Sequence, residues 1–504
     1  MRILFIDPHG LQKPLKNKPG IGLNLAVATL TPILVKQGHQ VSLFDMANHY
    51  ECRSIEFIRE SLSAYKPDII GITILNAQYE GAVNIIKHLR KITCLPIVVG
   101  GAEITAIESK IFQDTDYAVD ISVLGEGEES LVKIMECMGL KDMPSVGKIP
   151  GLIVNSNGNL KKTGPSQMVT DLDGYPPPDL SVFGIRNILL YKLMGSRGCP
   201  FNCSFCFSYL GKKWRYRNPK KIVEELLKAR ESYDYKEFRF LDPVFNFNPE
   251  WVRDLCDEII AAGLSEMRWE ALGVRADKLD DDLCGKMSDA GCKRVAIGVE
   301  SLHPEVFKLI KKGETIDALK RGVKTATKYF ERTSVFLIIG LPGDNRKRSL
   351  FTYHEVKKLN PTDISLAIAV PYSGTRLDEW VTENAQILGS SYDSFTRGAD
   401  AFEGGVAFET DDFNKRERLD TFKTMNTKEF RYSSRSKYHH YLDPIEWFKD
   451  AAVYDYFNLH KHAFQISWQI LTRLQNKYKA SVLHDESSYE LKYDRIPDGT
   501  WWIG

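Results

Sequence analysis

The sequence has no stretch approaching the roughly 18 consecutive apolar residues that a membrane span requires. Its opening, MRILFIDPHG, lacks the long apolar core and small-residue cleavage site of a signal peptide. It has almost no net charge, +1 at pH 7 over 504 residues, so no field of one sign spans the molecule to hold nucleic acid or an anionic membrane. No helix-turn-helix pattern or basic stripe marks a reader of nucleic acid. It also lacks paired cysteine spacing: the nine cysteines are an odd number spread from Cys52 to Cys292, which argues against a disulfide framework. These absences lead to the expectation of a cytoplasmic protein with reduced thiols. Six of the cysteines (Cys52, Cys94, Cys137, Cys256, Cys284 and Cys292) stand singly and read as buried small hydrophobes. What is present is ordinary globular composition, 43% apolar and 26% charged, over a length that fits about three domains.

Residues 1–140 alternate continuous apolar runs with helical periods: ILFID, GLNLAVATLTPILVKQG, QVSLFD, SIEFIRESLSAYK, DIIGITIL, GAVNIIKHLRKI, LPIVVGG, ISVLGEG and EESLVKIMECMG. That pattern predicts a doubly wound, Rossmann-like domain whose parallel sheet is covered on both faces and whose ligand crevice lies at the carboxyl ends of the strands. Gly71, Gly100, Gly101 and Gly125 fall at those ends, where a missing side chain either admits a ligand or makes a turn. Residues 141–185 contain a hairpin signal around Asn157-Gly158 and the stiff linker GYPPPD, and a domain boundary is expected there. Residues 186–375 repeat strand then helix six times, which predicts an open (β/α)6 barrel with its active site on the loops after the strands. Residues 376–504 are less regular and rich in aromatic and basic residues, mainly in 430–448 and 453–475. They fit either a cap over the barrel mouth or a helical subdomain packed outside it.

The loop after the first barrel strand reads GSRGCPFNCSFCFS, with Cys199, Cys203 and Cys206 in a C-x3-C-x2-C spacing. Structural zinc takes four ligands, usually as two short pairs, and no second C-x2-C occurs, so zinc would have to recruit a distant residue. An iron–sulfur cube normally takes four thiolates; three leave one iron open, as catalysis requires. Gly195 and Gly198 let the chain fold around such a cluster and turn backbone N–H groups toward it.

This motif, with an aromatic before the last cysteine, resembles the signature of the radical S-adenosylmethionine (SAM) enzymes. The resemblance implies a 4Fe-4S cluster held by Cys199, Cys203 and Cys206, with SAM chelated at the open iron and cleaved reductively to a 5′-deoxyadenosyl radical. It places Phe205 near the adenine, Asp242 in FLDPVFN beside the amino group, and Glu300 and Ser301 in AIGVES near the ribose and methionine portion. Asp242 could equally cap the helix that follows Pro249. Arg275 in GVRAD is a candidate for the methionine carboxylate, with an ordinary salt bridge as the rival reading. IIGLPGD and PYSGT are similar to the family's turns after the last two barrel strands.

A doubly wound domain directly before such a barrel is similar to the cobalamin-binding branch of that family, over about residues 1–375. The matching segments are ILFIDP, PGIGLNLA, GHQVSLFD, IIGITIL, VVGGAE and LGEGEES. The D-x-H-x-x-G pattern of many cobalamin proteins is incomplete, because Gln12 stands where the second glycine belongs. His9 remains a candidate cobalt ligand, with Asp7 as the partner that orients it. The resemblance implies a cobalamin-dependent methyltransferase acting on an unactivated carbon of a small metabolite, with a flavodoxin or ferredoxin as electron donor. The alternatives are a radical SAM enzyme that rearranges, cyclises or deoxygenates without methyl transfer, and a non-catalytic corrinoid or cluster sensor.

Overall fold

The computed structural model of the chain describes residues 1–8, 24–46, 55–179, 181–185, 188, 190–233, 235–389 and 405–426. His9, Cys52 and the aromatic stretches 430–448 and 453–475 lie outside the described residues.

Strands β1 (Arg2–Asp7), β2 (Gln40–Asp45), β3 (Ile69–Thr73), β4 (Ile97–Gly100) and β5 (Ile121–Val123) form a parallel sheet in the order β2-β1-β3-β4-β5. Every residue of β3 and β5 is buried, as expected for strands covered on both faces. The first helix, Leu25–Lys36, begins where the Asn24 side chain accepts from the Ala26 N–H, and Gly38 follows its end at φ 81°. Two short helices, Ala102–Ile107 and Lys110–Asp114, sit between β4 and β5 where no helix was expected; each is too short to show a helical period. The hairpin assigned to the linker proves to be part of this sheet. Its strands β6 (Leu152–Ser156) and β7 (Asn159–Lys162) add antiparallel to β5, so the sheet ends at residue 162 and only the proline segment is left as connection. The strand order reverses at β1 and β3, the switch point at which open sheets of this kind bind ligands.

The second sheet has six parallel strands: β8 (Leu190–Leu193), then, after a two-residue ribbon of β9 (Ser196–Arg197) and β10 (Arg215–Tyr216), β11 (Glu237–Phe240), β12 (Arg268–Val274), β13 (Cys292–Glu300), β14 (Arg332–Ile339) and β15 (Asp363–Ile368). They are hydrogen-bonded in sequence order, and among the described residues no pairing joins β15 to β8, which makes an open partial barrel. Asn218 and Asn248 each precede a proline and cap the helices Pro219–Ser232 and Pro249–Ala261, so the capping role considered for Asp242 belongs to Asn248. Trp269 is fully buried beneath the strands and stacks on Phe238 at 6.0 Å. Phe408, Phe413, Phe422 and Met425, from the segment past the barrel, join this same core. Arg418 of that segment reaches back to the Gly340 carbonyl at 3.2 Å, just after β14. Of the singly placed cysteines, Cys256, Cys284 and Cys292 are buried as expected, but Cys137 is only half-buried and Cys94 is exposed, at the turn after the helix Tyr79–Ile92.

Candidate functional site

The cysteine loop leaves β8 and is sewn into place by backbone bonds from three directions. Cys199 N–H donates to the Gly211 carbonyl at 3.1 Å, Ser204 N–H to Ile310 at 2.9 Å, and Leu377 N–H to Ser204 at 2.8 Å. Gly198 is at φ 84°, and a Cβ there would lie 2.2 Å from the Lys213 carbonyl oxygen. Only glycine fits, because chain rather than ligand approaches it. All three thiols are free. Cys206 is exposed at the loop surface, yet desolvation by the surrounding protein pushes its thiol up to about 11, with Cys203 and Cys199 adding to the effect. Cys203 is also raised by burial, and the nearby Lys312 opposes the shift. Among the described residues no three His, Cys, Asp or Glu side chains converge as ligands of a single metal ion. Phe205 packs against the barrel core beside these thiols.

The carboxyl ends of the next strands converge on the loop, each in its own way. Asp242, buried just past β11, accepts from Gly195 N–H at 3.1 Å and Ser196 Oγ at 2.6 Å. Burial lifts its carboxyl to about 6, against the pull of those bonds. It anchors the start of the cysteine loop and does not cap a helix. Arg275, after β12, is occupied by protein: Nε and Nη2 bond Asp277 at 2.9 and 3.1 Å, and Nη1 and Nη2 bond the Lys312 and Gly313 carbonyls at 3.0 and 3.1 Å. Its guanidinium lies 3.6 Å over the Phe201 ring, between Cys199 and Cys203. The salt-bridge reading is therefore the one realised, and Arg275 braces the loop rather than offering a free fork to a carboxylate. The Ser301 hydroxyl is likewise engaged, 3.1 Å from Thr352 Oγ1 and accepting from His303 N–H at 3.2 Å. Glu300 ends β13 at φ 61° with its side chain turned back toward Gly298, where any Cβ would collide with it. Its partner is Lys312 Nζ at 3.3 Å, a buried lysine that lies 3.4 Å from Glu314 as well. Burial works against the Lys312 charge, but Glu300 and Glu314 outweigh it and raise its pKa. Sequence reading missed Lys312; its only signal was a charged KKGE run in a loop expected to face the site.

A second site lies at the switch point of the first sheet. A cavity of about 550 Å³ is lined there by Gly71, Gly100, Gly101 and Gly125, together with Asp7 from β1. All four glycines line it, but for different reasons. At Gly101, φ 109°, a Cβ would meet the Ile74 carbonyl at 2.6 Å, and at Gly125 it would meet Ser166 Oγ at 2.7 Å, so these two are demanded by the chain. At Gly71 a Cβ would meet the Phe5 ring at 2.8 Å, whereas Gly100 has only Val123 at 3.7 Å and leaves the wall open. Pro176–Pro178 of the linker and Met194, Arg197 and Tyr209 of the barrel domain also line the cavity. Asp7 accepts from Gln78 Nε2 at 2.8 Å.

Residues 16–135 match the B12 binding domain and residues 193–353 the Radical SAM superfamily. A radical SAM domain and a B12-binding domain are thus both present in this chain. It is 29% identical to an uncharacterized methyltransferase of Pyrococcus horikoshii over 79% of this chain and 86% of that one. The solved structure of the radical SAM methyltransferase TsrM from Kitasatospora setae, with cobalamin and a 4Fe-4S cluster bound, matches with a TM-score of 0.61 and 18% identity, over 76% of this chain and 78% of that one. The cobalamin-dependent radical SAM enzyme OxsB, with aqua-cobalamin and SAM bound, matches with a TM-score of 0.62 and 19% identity, over 94% and 75%.

The cofactors of these two domains are a 4Fe-4S cluster, SAM and cobalamin. The residues present fit them. Three free thiols share one loop without converging on a single point, whereas a four-iron cube takes its thiolates at separate irons. The corrin needs a flat, side-chain-poor wall, and the cavity has one at Gly100. The two sites are joined by a buried ionic bridge. Arg197, two residues before Cys199, pairs with Glu126 at 2.8 Å and Glu128 at 2.7 Å, and Arg215 pairs with the other Glu126 oxygen at 2.6 Å. Glu126 also accepts from Val169 N–H at 2.7 Å, which ties in the segment leading to the linker. The LGEGEES turn of the B12-binding domain is thus held directly against the strand that launches the cysteine loop.

Proposed function

We propose that this protein is a cobalamin-dependent radical SAM methyltransferase that acts on an unactivated carbon of a small metabolite. The observation that carries the reading is the bridge: Glu126 and Arg197 both line the cavity at the switch point of the first sheet, and Arg197 also starts the cysteine loop, so the two cofactor sites share a wall. Bound together, the cofactors supply a 5′-deoxyadenosyl radical and a transferable methyl group. The chain's own part is to hold them in register. Cys199, Cys203 and Cys206 are the cluster ligands in this reading, and Phe205 lies beside the adenine. Glu300 and Lys312, buried and paired next to Cys203, face the polar part of SAM. Asp242 and Arg275 position the loop from beneath and from the side. Gly100 leaves the wall open for the corrin to rest on the first sheet, Gly71, Gly101 and Gly125 line the same cavity while serving the chain's own packing, and His9 is the candidate lower ligand. No described helix is long and apolar enough to cross a membrane. We place the enzyme in the cytoplasm, reduced by a flavodoxin or ferredoxin. Replacing Cys199, Cys203 and Cys206 together with alanine tests the core of the proposal. The brown cluster absorbance and SAM cleavage should both vanish, and retained cleavage would refute it.

A further inference from the structure

From Leu180 to Val223 the sequence holds nine Lys and Arg and no Asp or Glu. The near-zero net charge of the whole chain hides this run, and no basic stripe was expected. The structure divides it in two. The three described arginines turn inward and are neutralised: Arg197 and Arg215 by Glu126 and Glu128, Arg217 by Asp173 and Glu225. Of the lysines, Lys192 is half-buried and lines the cavity, and the other four turn outward. Lys212, Lys213, Lys220 and Lys221 are all exposed, and among the described residues Lys213 and Lys220 have no ion-pair partner. In the middle of this ridge stands Tyr216, 55% exposed. Its ring stacks on Trp214 at 4.8 Å, Trp214 meets Phe247 at 5.2 Å, and Phe247 meets Phe201 at 6.0 Å. Phe201 lies between Cys199 and Cys203, and its carbonyl accepts from Lys212 Nζ at 2.6 Å. A continuous aromatic contact therefore runs from a basic surface to the cysteine loop.

We propose that the ridge 211–221 is the docking surface for an acidic flavodoxin that delivers the reducing electron to the cluster. This rests on the radical reading above. One electron leaves the reduced flavin and one enters the cluster; no bond in this chain forms or breaks. Lysine ammonium groups attract an acidic partner over distance without the bidentate grip on phosphate that arginines give, and here the arginines are spent inside. That favours an acidic protein over nucleic acid. The exposed Tyr216 ring, backed by Trp214, offers a flat apolar contact to the edge of a flavin, which favours flavodoxin over ferredoxin.

The test is the triple variant Lys213→Glu, Lys220→Glu, Lys221→Glu in the reconstituted full chain. Binding of a purified flavodoxin of acidic pI is measured by calorimetry, and cluster reduction by stopped-flow absorbance. The variant should bind that flavodoxin at least about tenfold more weakly and be reduced by it correspondingly more slowly. Reduction by dithionite should stay unchanged. In the wild type, raising salt from about 50 to about 500 mM should remove most of the difference. Tyr216→Ala should slow reduction at saturating flavodoxin while leaving dithionite reduction intact. Unchanged flavodoxin affinity in the triple variant would overturn the proposal. So would a variant that loses ferredoxin or duplex DNA binding but keeps flavodoxin. If dithionite-reduced wild type cleaves no SAM, the radical reading itself fails. That control needs no flavodoxin, so the two failures are distinguishable.

Discussion

Arg215→Ala is the substitution whose outcome follows most directly from the bridge between the two sites. The Arg215 side chain is only 4% exposed, and that of its partner Glu126 only 3%. Its guanidinium bonds Glu126, the Leu210 carbonyl at 2.7 Å and the Val169 carbonyl. Removing one partner of a buried pair costs about 3–5 kcal/mol, because the remaining charge is stranded. Here Glu126 keeps Arg197 at 2.8 Å and the Val169 N–H at 2.7 Å, so the lower end, about 3 kcal/mol, is expected. Arg215→Ala leaves Glu126 and Glu128 sharing the single charge of Arg197, so adding Glu126→Gln removes the excess carboxylate and should recover about 1 kcal/mol, which makes the double variant more stable than the single. Anaerobic urea unfolding followed by circular dichroism, compared at constant m-value, reads both changes. A single-variant loss below about 1 kcal/mol, or a double variant less stable than the single, would refute the reasoning.

Three further outcomes follow from other parts of the structure. Burial, helped by Asp45 and opposed by bonds from Gln78 and Asn24, pushes Asp7 up to about 7. The folded state then holds a proton that the unfolded chain has released above about pH 4, so stability falls as pH rises to about 7, by about 1.4 kcal/mol per unit. Asp7→Asn should flatten that slope, and unfolding profiles of variant and wild type that stay parallel between pH 5 and 8 would contradict it. Arg275→Ala strands Asp277, leaves the fully buried Glu314 side chain with Lys312 as its remaining partner, and frees Phe201, so it should lose about 3 kcal/mol and retain less iron per chain after reconstitution. A variant with wild-type iron content would show that Arg275 does not brace the loop. Gly100→Ala meets only ordinary contacts, whereas Gly101→Ala meets a carbonyl at 2.6 Å. The first should keep the fold, cost under about 1 kcal/mol, and weaken cobalamin binding as read by its absorbance spectrum; the second should cost about 2 kcal/mol or more.

The sheet domains were legible because their strands are continuous apolar runs punctuated by glycine, and all six barrel strands fell where those runs lie. The cysteine loop stood out because its three cysteines and their spacing are local. What escaped is long-range or short. Glu126 meets Arg197 and Arg215 across separations of 71 and 89 residues, and no local pattern announces such a pair. Lys312 looked like one more solvated lysine until the fold buried it against Glu300. The hairpin at residues 152–162 was visible as a hairpin, but its edge of attachment is a tertiary choice. Arg275 and Ser301 were read by residue type as cofactor groups. The structure spends their hydrogen bonds on Asp277 and Thr352 instead, which only the positions of the neighbouring turns and helices could reveal.

The central claim is that one chain holds both cofactors side by side, and metal analysis tests it without knowing the substrate. After anaerobic reconstitution with iron, sulfide and hydroxocobalamin and removal of unbound material, the account predicts about one cobalt for every four irons. Iron without cobalt would contradict it: the protein would then be a radical enzyme with an empty first domain, and methyl transfer by this route would be excluded.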